Sequence, residues 1–60
     1  MARSIFITGA SSGIGEQLAL EFARRGYDVA IAARRLDRLQ DLAGRLTAAG
    51  AARVLPLELD

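Results

Sequence analysis

Apolar residues along this chain fall into five groups, and their spacing changes from group to group. Ser4 to Thr8 holds three consecutive apolar, β-favouring residues, Ile5, Phe6 and Ile7. That is the pattern of a short strand buried on both faces of a parallel sheet. Period alone does not assign so short a run, but the glycine-rich turn behind it does. From Gly13 to Arg25 the spacing lengthens. Ile14, Leu18 and Phe22 recur every four residues, with Ala19 and Ala23 widening the stripe, which predicts an amphipathic helix. Glu16 in its first turn suits the helix dipole, Glu21 stands four residues before Arg25, and Gly26 fits the left-handed residue that ends a helix. Asp28 to Ala33 predicts a second strand, whose three alanines imply close packing by a neighbouring helix. Leu36 to Ala49 predicts a second helix, with Leu36, Leu39, Leu42, Ala43 and Leu46 on one face. Asp37, Arg38, Asp41 and Arg45 lie on the other, Asp41 four residues before Arg45, and Gly50 marks the stop. Arg53 to Leu59 predicts a third strand, weakened by Pro56, which forfeits a ladder hydrogen bond.

The predicted order is β-α-β-α-β. A full helix between the first two strands makes them parallel, with a right-handed crossover. This is α/β architecture, the N-terminal half of a Rossmann fold with its doubly wound parallel sheet. Sixty residues make one domain at most and less than a typical one. A chain of this size buries only about 60% of the surface its unfolded form exposes. Residues 1–60 are therefore expected to be the N-terminal part of a single nucleotide-binding domain, with a partner half beyond Asp60.

The candidate chemistry lies between the first strand and the first helix. Gly9, Gly13 and Gly15 are spaced G-x-x-x-G-x-G. Gly9 lets the chain leave the strand in a tight turn. Gly13 lets the backbone approach a bulky anion, and Gly15 lets the helix approach the strand without a Cβ between them. The helix N-terminus offers free N–H groups and a partial positive charge to a pyrophosphate. Ser11 and Ser12 add hydroxyl donors. The plainer reading is a glycine-rich turn with Ser12 as helix cap. The position of the turn inside a βαβ unit favours the phosphate cradle over it. No Gly-Lys-Ser/Thr follows the glycines, so the turn is not a P-loop.

Composition narrows the alternatives. Cysteine and histidine are absent, which removes disulfides and makes a transition-metal site improbable. All eight basic residues are arginine, and the net charge of +1 gives no nucleic-acid or membrane-surface footprint. No apolar run approaches the roughly 20 residues that span a bilayer. Met1-Ala2-Arg3-Ser4 has no adequate signal-peptide core behind it. A cytoplasmic location is the expectation.

Thr8-Gly9-Ala10-Ser11-Ser12-Gly13-Ile14-Gly15 resembles the T-G-x-x-x-G-I-G motif of the short-chain dehydrogenase/reductase family, complete over eight residues. The βαβ pattern that follows agrees through Asp60. The resemblance implies a nicotinamide dinucleotide cofactor, held in part by Gly9, Ser11, Ser12, Gly13, Ile14 and Gly15. It implies hydride transfer between that cofactor and a small carbonyl or alcohol substrate, and a homo-oligomer, dimer or tetramer. It also implies that Asp60 accepts a hydrogen bond from the adenine amino group, where a plain strand-end aspartate is the competing reading. The family's catalytic Ser, Asn and Y-x-x-x-K are not in this chain. Lysine is absent, and the single tyrosine, Tyr27, has Ile31 four residues on. Tyr27 is better read as packing at the entry to the second strand, and no catalytic residue is assigned.

The residues after the second strand choose between cofactors. An acidic residue there would bind the ribose 2′-hydroxyl of NAD. This chain has Arg34 and Arg35 instead, and an arginine forks onto a phosphate. Arg34 is therefore expected to grip the 2′-phosphate of NADP(H), with Arg35 supporting it, and NAD is less favoured. A basic residue at the position of Arg34 likewise marks NADP preference in the family. The competing reading is a solvated charge run opening a helix. Two cations near a helix N-terminus oppose its dipole, a conflict that a bound anion removes. A nucleotide-binding or regulatory module without chemistry is the main alternative function, and a Rossmann-like methyltransferase a weaker one. A Y-x-x-x-K beyond Asp60 would decide for the enzyme.

Overall fold

A computed structural model describes residues 3–10 and 13–59. Its elements follow in the order β1 (Ser4–Thr8), α1 (Gly13–Arg24), β2 (Asp28–Ala33), α2 (Leu36–Ala49) and β3 (Arg53–Glu58). The three strands form one parallel sheet in the order β1-β2-β3. This is the β-α-β-α-β half of a Rossmann fold. Two ends differ by one residue from the sequence expectation: α1 stops at Arg24 and β3 at Glu58.

The register aligns Ile5 with Val29 and Val54, and Ile7 with Ile31 and Pro56. Aligned residues share a face of the sheet. On this face Ile7, Val29, Ile31 and Ala33 join Ala19 and Ala23 of α1 and Leu39, Leu42 and Leu46 of α2 in one buried cluster. Both helices therefore cover the same side. The opposite face carries Phe6, Ala30, Leu55 and Leu57, and Phe6 and Leu55 are more than half exposed. The close helix packing expected from the β2 alanines is met on the covered face by Ala33, which is 2% exposed.

Pro56 fits β3 for a reason the register supplies. The Leu59 N–H donates to the Ala33 carbonyl at 2.8 Å, so odd-numbered N–H groups of β3 point at β2. Position 56 points to the open edge, where a missing N–H breaks no ladder bond.

The buried face of α1 is not the one its large residues predict. Ile14 is 79% exposed and Leu18 48%. Gly15, Ala19 and Ala23, again spaced by four, are the buried positions, with Phe22 packed against the cluster from one side. Small side chains let the helix axis lie close to the sheet, and that shallow fit turns Ile14 and Leu18 outward. In α2 the predicted stripe holds for Leu39, Leu42 and Leu46, whereas Leu36 in the first turn is 43% exposed.

The turns close as their glycines require. Gly26 (φ 80°) follows α1, and Gly50 (φ 121°) caps α2, its N–H donating to Leu46 and Thr47 carbonyls. Tyr27 has the packing role expected of it. Its ring lies 4.9 Å from that of Phe22, tilted by 58°, and its hydroxyl accepts a 3.4 Å bond from Arg3 Nη1. That bond holds the Arg3 guanidinium above its ordinary pKa.

Candidate functional site

The site is assembled at the carboxyl edge of the sheet. Thr8 of β1, Ala32 of β2 and Leu57 of β3 lie in register, so the three strands end side by side. Two backbone bonds tie the segments beyond those ends. Ala10 N–H donates to the Ala32 carbonyl at 3.2 Å, folding the turn after β1 over β2. The Leu59 bond to Ala33 brings the exit of β3 to the residue just before Arg34. Ligands of open α/β sheets bind at this edge, outside the carboxyl ends of the strands.

The three motif glycines have three different environments. Gly9 has φ +68°, a left-handed conformation that turns the chain sharply out of β1. Gly15 is buried, and a Cβ built on it would stand 2.7 Å from the Gly9 carbonyl oxygen and 3.1 Å from Ala10 Cα. Only a glycine lets α1 lie this close to the turn. Gly13 opens α1, and a Cβ built there meets nothing within 4 Å. The backbone at Gly13 thus borders open space at a helix N-terminus, which is the room a pyrophosphate cradle needs. The described part of the turn leaves room there for a phosphate group.

Arg34 and Arg35 connect β2 to α2, and both are exposed. Among the described residues Arg34 has no carboxylate partner. Arg35 occupies the N-cap position of α2 with extended backbone, and its carbonyl accepts the Leu39 N–H at 3.0 Å. Its Nε lies 3.7 Å from Asp37 Oδ1, a solvent-exposed pair worth little on its own. Ile14 presents its side chain to solvent beside the open space at Gly13. Ser11, Ser12 and Asp60 lie outside the described residues. Among the described residues no cluster of His, Cys, Asp or Glu could hold a metal, and no helix is long and apolar enough to cross a membrane.

One charged contact near the turn was not visible in the i,i+4 spacing. Arg45 of α2 does not engage Asp41. Its Nη1 donates to Oε1 of Glu16, in the first turn of α1. The predicted Glu21–Arg25 pair does form, at 3.2 Å, with Arg24 3.7 Å from the same carboxylate.

The family model for short chain dehydrogenases matches residues 3–60. The chain belongs to the short-chain dehydrogenase family. It is 52% identical over 50 residues to hydroxysteroid 11-beta-dehydrogenase 1-like protein A of Xenopus laevis, covering 83% of this chain and 17% of that protein. The short-chain dehydrogenase of Sphingobium yanoikuyae, solved in complex with NADPH, superposes with a TM-score of 0.89 at 46% identity. That match covers 97% of this chain and 23% of the other. L-sorbose reductase of Gluconobacter frateurii, solved with NADPH and L-sorbose, gives a TM-score of 0.91 at 39% identity over 98% of this chain and 22% of its own. The chain thus spans about a fifth of the length of the relatives it matches.

Proposed function

We propose that this chain is the cofactor-binding part of an NADP(H)-dependent short-chain oxidoreductase that moves hydride between the nicotinamide and a carbonyl or alcohol substrate. The observation that carries the reading is the open space at a Cβ built on Gly13, at the N-terminus of α1, on the same sheet edge as Arg34. The glycine turn and the α1 N-terminus would hold the pyrophosphate. Arg34 would fork onto the 2′-phosphate, with Arg35 beside it. Ser11, Ser12, Ile14 and Asp60 complete the proposed contacts. The cofactor, when bound, supplies the hydride chemistry, and these residues bind and orient it. Two family members solved with NADPH support the choice of cofactor. The remainder of a single Rossmann domain would cover the bare face of Phe6, Ala30, Leu55 and Leu57, because parallel sheets are buried on both faces.

Gly13→Ala tests the cradle. Among the described residues, a methyl group there meets nothing within 4 Å beyond its chain neighbours and its own helix backbone, so stability should change little. The same methyl group occupies the ligand's space. In a fluorescence titration of the full-length protein, NADPH affinity should fall by about tenfold, equivalent to ~1.4 kcal/mol. A variant that binds NADPH as tightly as wild type removes Gly13 from the site.

A further inference from the structure

Glu16 presents a conflict that the fold resolves. It sits in the first turn of α1, three residues past Gly13, about 4.5 Å along the axis at 1.5 Å per residue. A carboxylate there suits an empty helix N-terminus, but it competes with any anion for the same positive end. On the reading above, that anion is a pyrophosphate. Across the α1–α2 interface, Arg45 Nη1 donates to Glu16 Oε1. The pair borders a cleft of about 380 Å³ lined also by Asp37, Arg38, Asp41 and Leu42. The cleft holds three carboxylates (Glu16, Asp37, Asp41) against two guanidiniums (Arg38, Arg45). Removing Arg45 therefore doubles its net negative charge, from −1 to −2.

We propose that Arg45 is a positioning residue for the cofactor site: it holds and neutralises the Glu16 carboxylate, so that the α1 N-terminus is free to take the cofactor's phosphates. The inference rests on the glycine turn being that phosphate site. Arg45 acts through Glu16 and needs no contact with the ligand. The side chains of the pair are 48% and 31% exposed, so the effect is electrostatic, moderate and screened by salt. An uncompensated carboxylate in the first turn of α1, in a medium near the water limit, repels a dianion at that helix end by enough to weaken binding about three- to tenfold.

The experiment titrates the full-length protein with NADPH at low and at high ionic strength, in wild type, Arg45→Ala, Glu16→Gln and the double variant. Arg45→Ala should bind three- to tenfold more weakly at low salt, and the deficit should shrink as salt rises. Adding Glu16→Gln to Arg45→Ala should restore affinity to within about twofold of wild type, and Glu16→Gln alone should bind at least as tightly as wild type. A double variant as weak as Arg45→Ala overturns the proposal, because Arg45 would then act directly or by packing. So does Arg45→Ala with wild-type affinity at low salt. If Arg45→Ala proves too unstable to titrate, Glu16→Gln decides alone: weaker NADPH binding contradicts the proposal. Failure of the wild type to bind NADPH is a separate result, and it rejects the cofactor reading itself.

Discussion

Replacing Gly15 by alanine is expected to destabilise the protein and abolish tight cofactor binding together. The new methyl group would lie 2.7 Å from the Gly9 carbonyl oxygen, 3.1 Å from Ala10 Cα and 3.3 Å from the Gly9 carbonyl carbon. All three are backbone atoms, so no side chain can swing away. The turn cannot retreat easily either, because Ala10 is fully buried and its N–H is bonded to Ala32. Either α1 lifts from the sheet or the Ala10–Ala32 bond breaks. Overpacking of this kind costs about 1–3 kcal/mol. It acts against a helix-propensity gain of up to ~1 kcal/mol, so the clash sets the sign. Gly44 provides the control. It lies inside α2 with open space around a built Cβ, and Gly44→Ala should stabilise by up to ~1 kcal/mol. Denaturant unfolding of the two variants should therefore move in opposite directions. Gly15→Ala with wild-type stability and wild-type NADPH affinity would mean that α1 does not press on the turn.

Arg34→Ala should remove most of the preference for NADPH over NADH. Arg34 stands at the carboxyl end of β2, exposed and, among the described residues, without a carboxylate partner. A hydrogen bond to a charged group contributes about 1.5–3 kcal/mol. Because the 2′-phosphate is the only difference between the two cofactors, that loss should fall on NADPH, with NADH little changed. Arg35→Ala should have the smaller effect, since Arg35 already lies 3.7 Å from Asp37. Equal weakening of both cofactors by Arg34→Ala would assign the residue to the shared part of the ligand.

The sequence specified the architecture through local signals that agree with one another. The apolar runs of β1 and β2, Leu39, Leu42 and Leu46 of α2 and the closing glycines Gly26 and Gly50 each stand where the pattern put them. The face of α1 was harder to read. Hydrophobicity favours the large residues Ile14 and Leu18, but contact with the sheet was decided by size, and the small residues Gly15, Ala19 and Ala23 form the buried row. The signal was present: Gly15 already implied close approach, and Ala19 and Ala23 continue its face at the same spacing. The Arg45–Glu16 contact had no such signal. It joins residues 29 apart across a helix crossing, whereas sequence spacing reports only neighbours on one helix. Pro56 looked unsuited to a strand because only the register reveals which edge its missing N–H faces.

On the proposed function, the Gly9–Gly15 turn and Arg34 together hold NADP(H). Equilibrium titration of the full-length wild-type protein with NADPH and with NADH tests it most directly. One charged hydrogen bond to the 2′-phosphate predicts NADPH binding at least tenfold tighter, about 1.4 kcal/mol or more. NADH binding as tightly as NADPH, or more tightly, would contradict it.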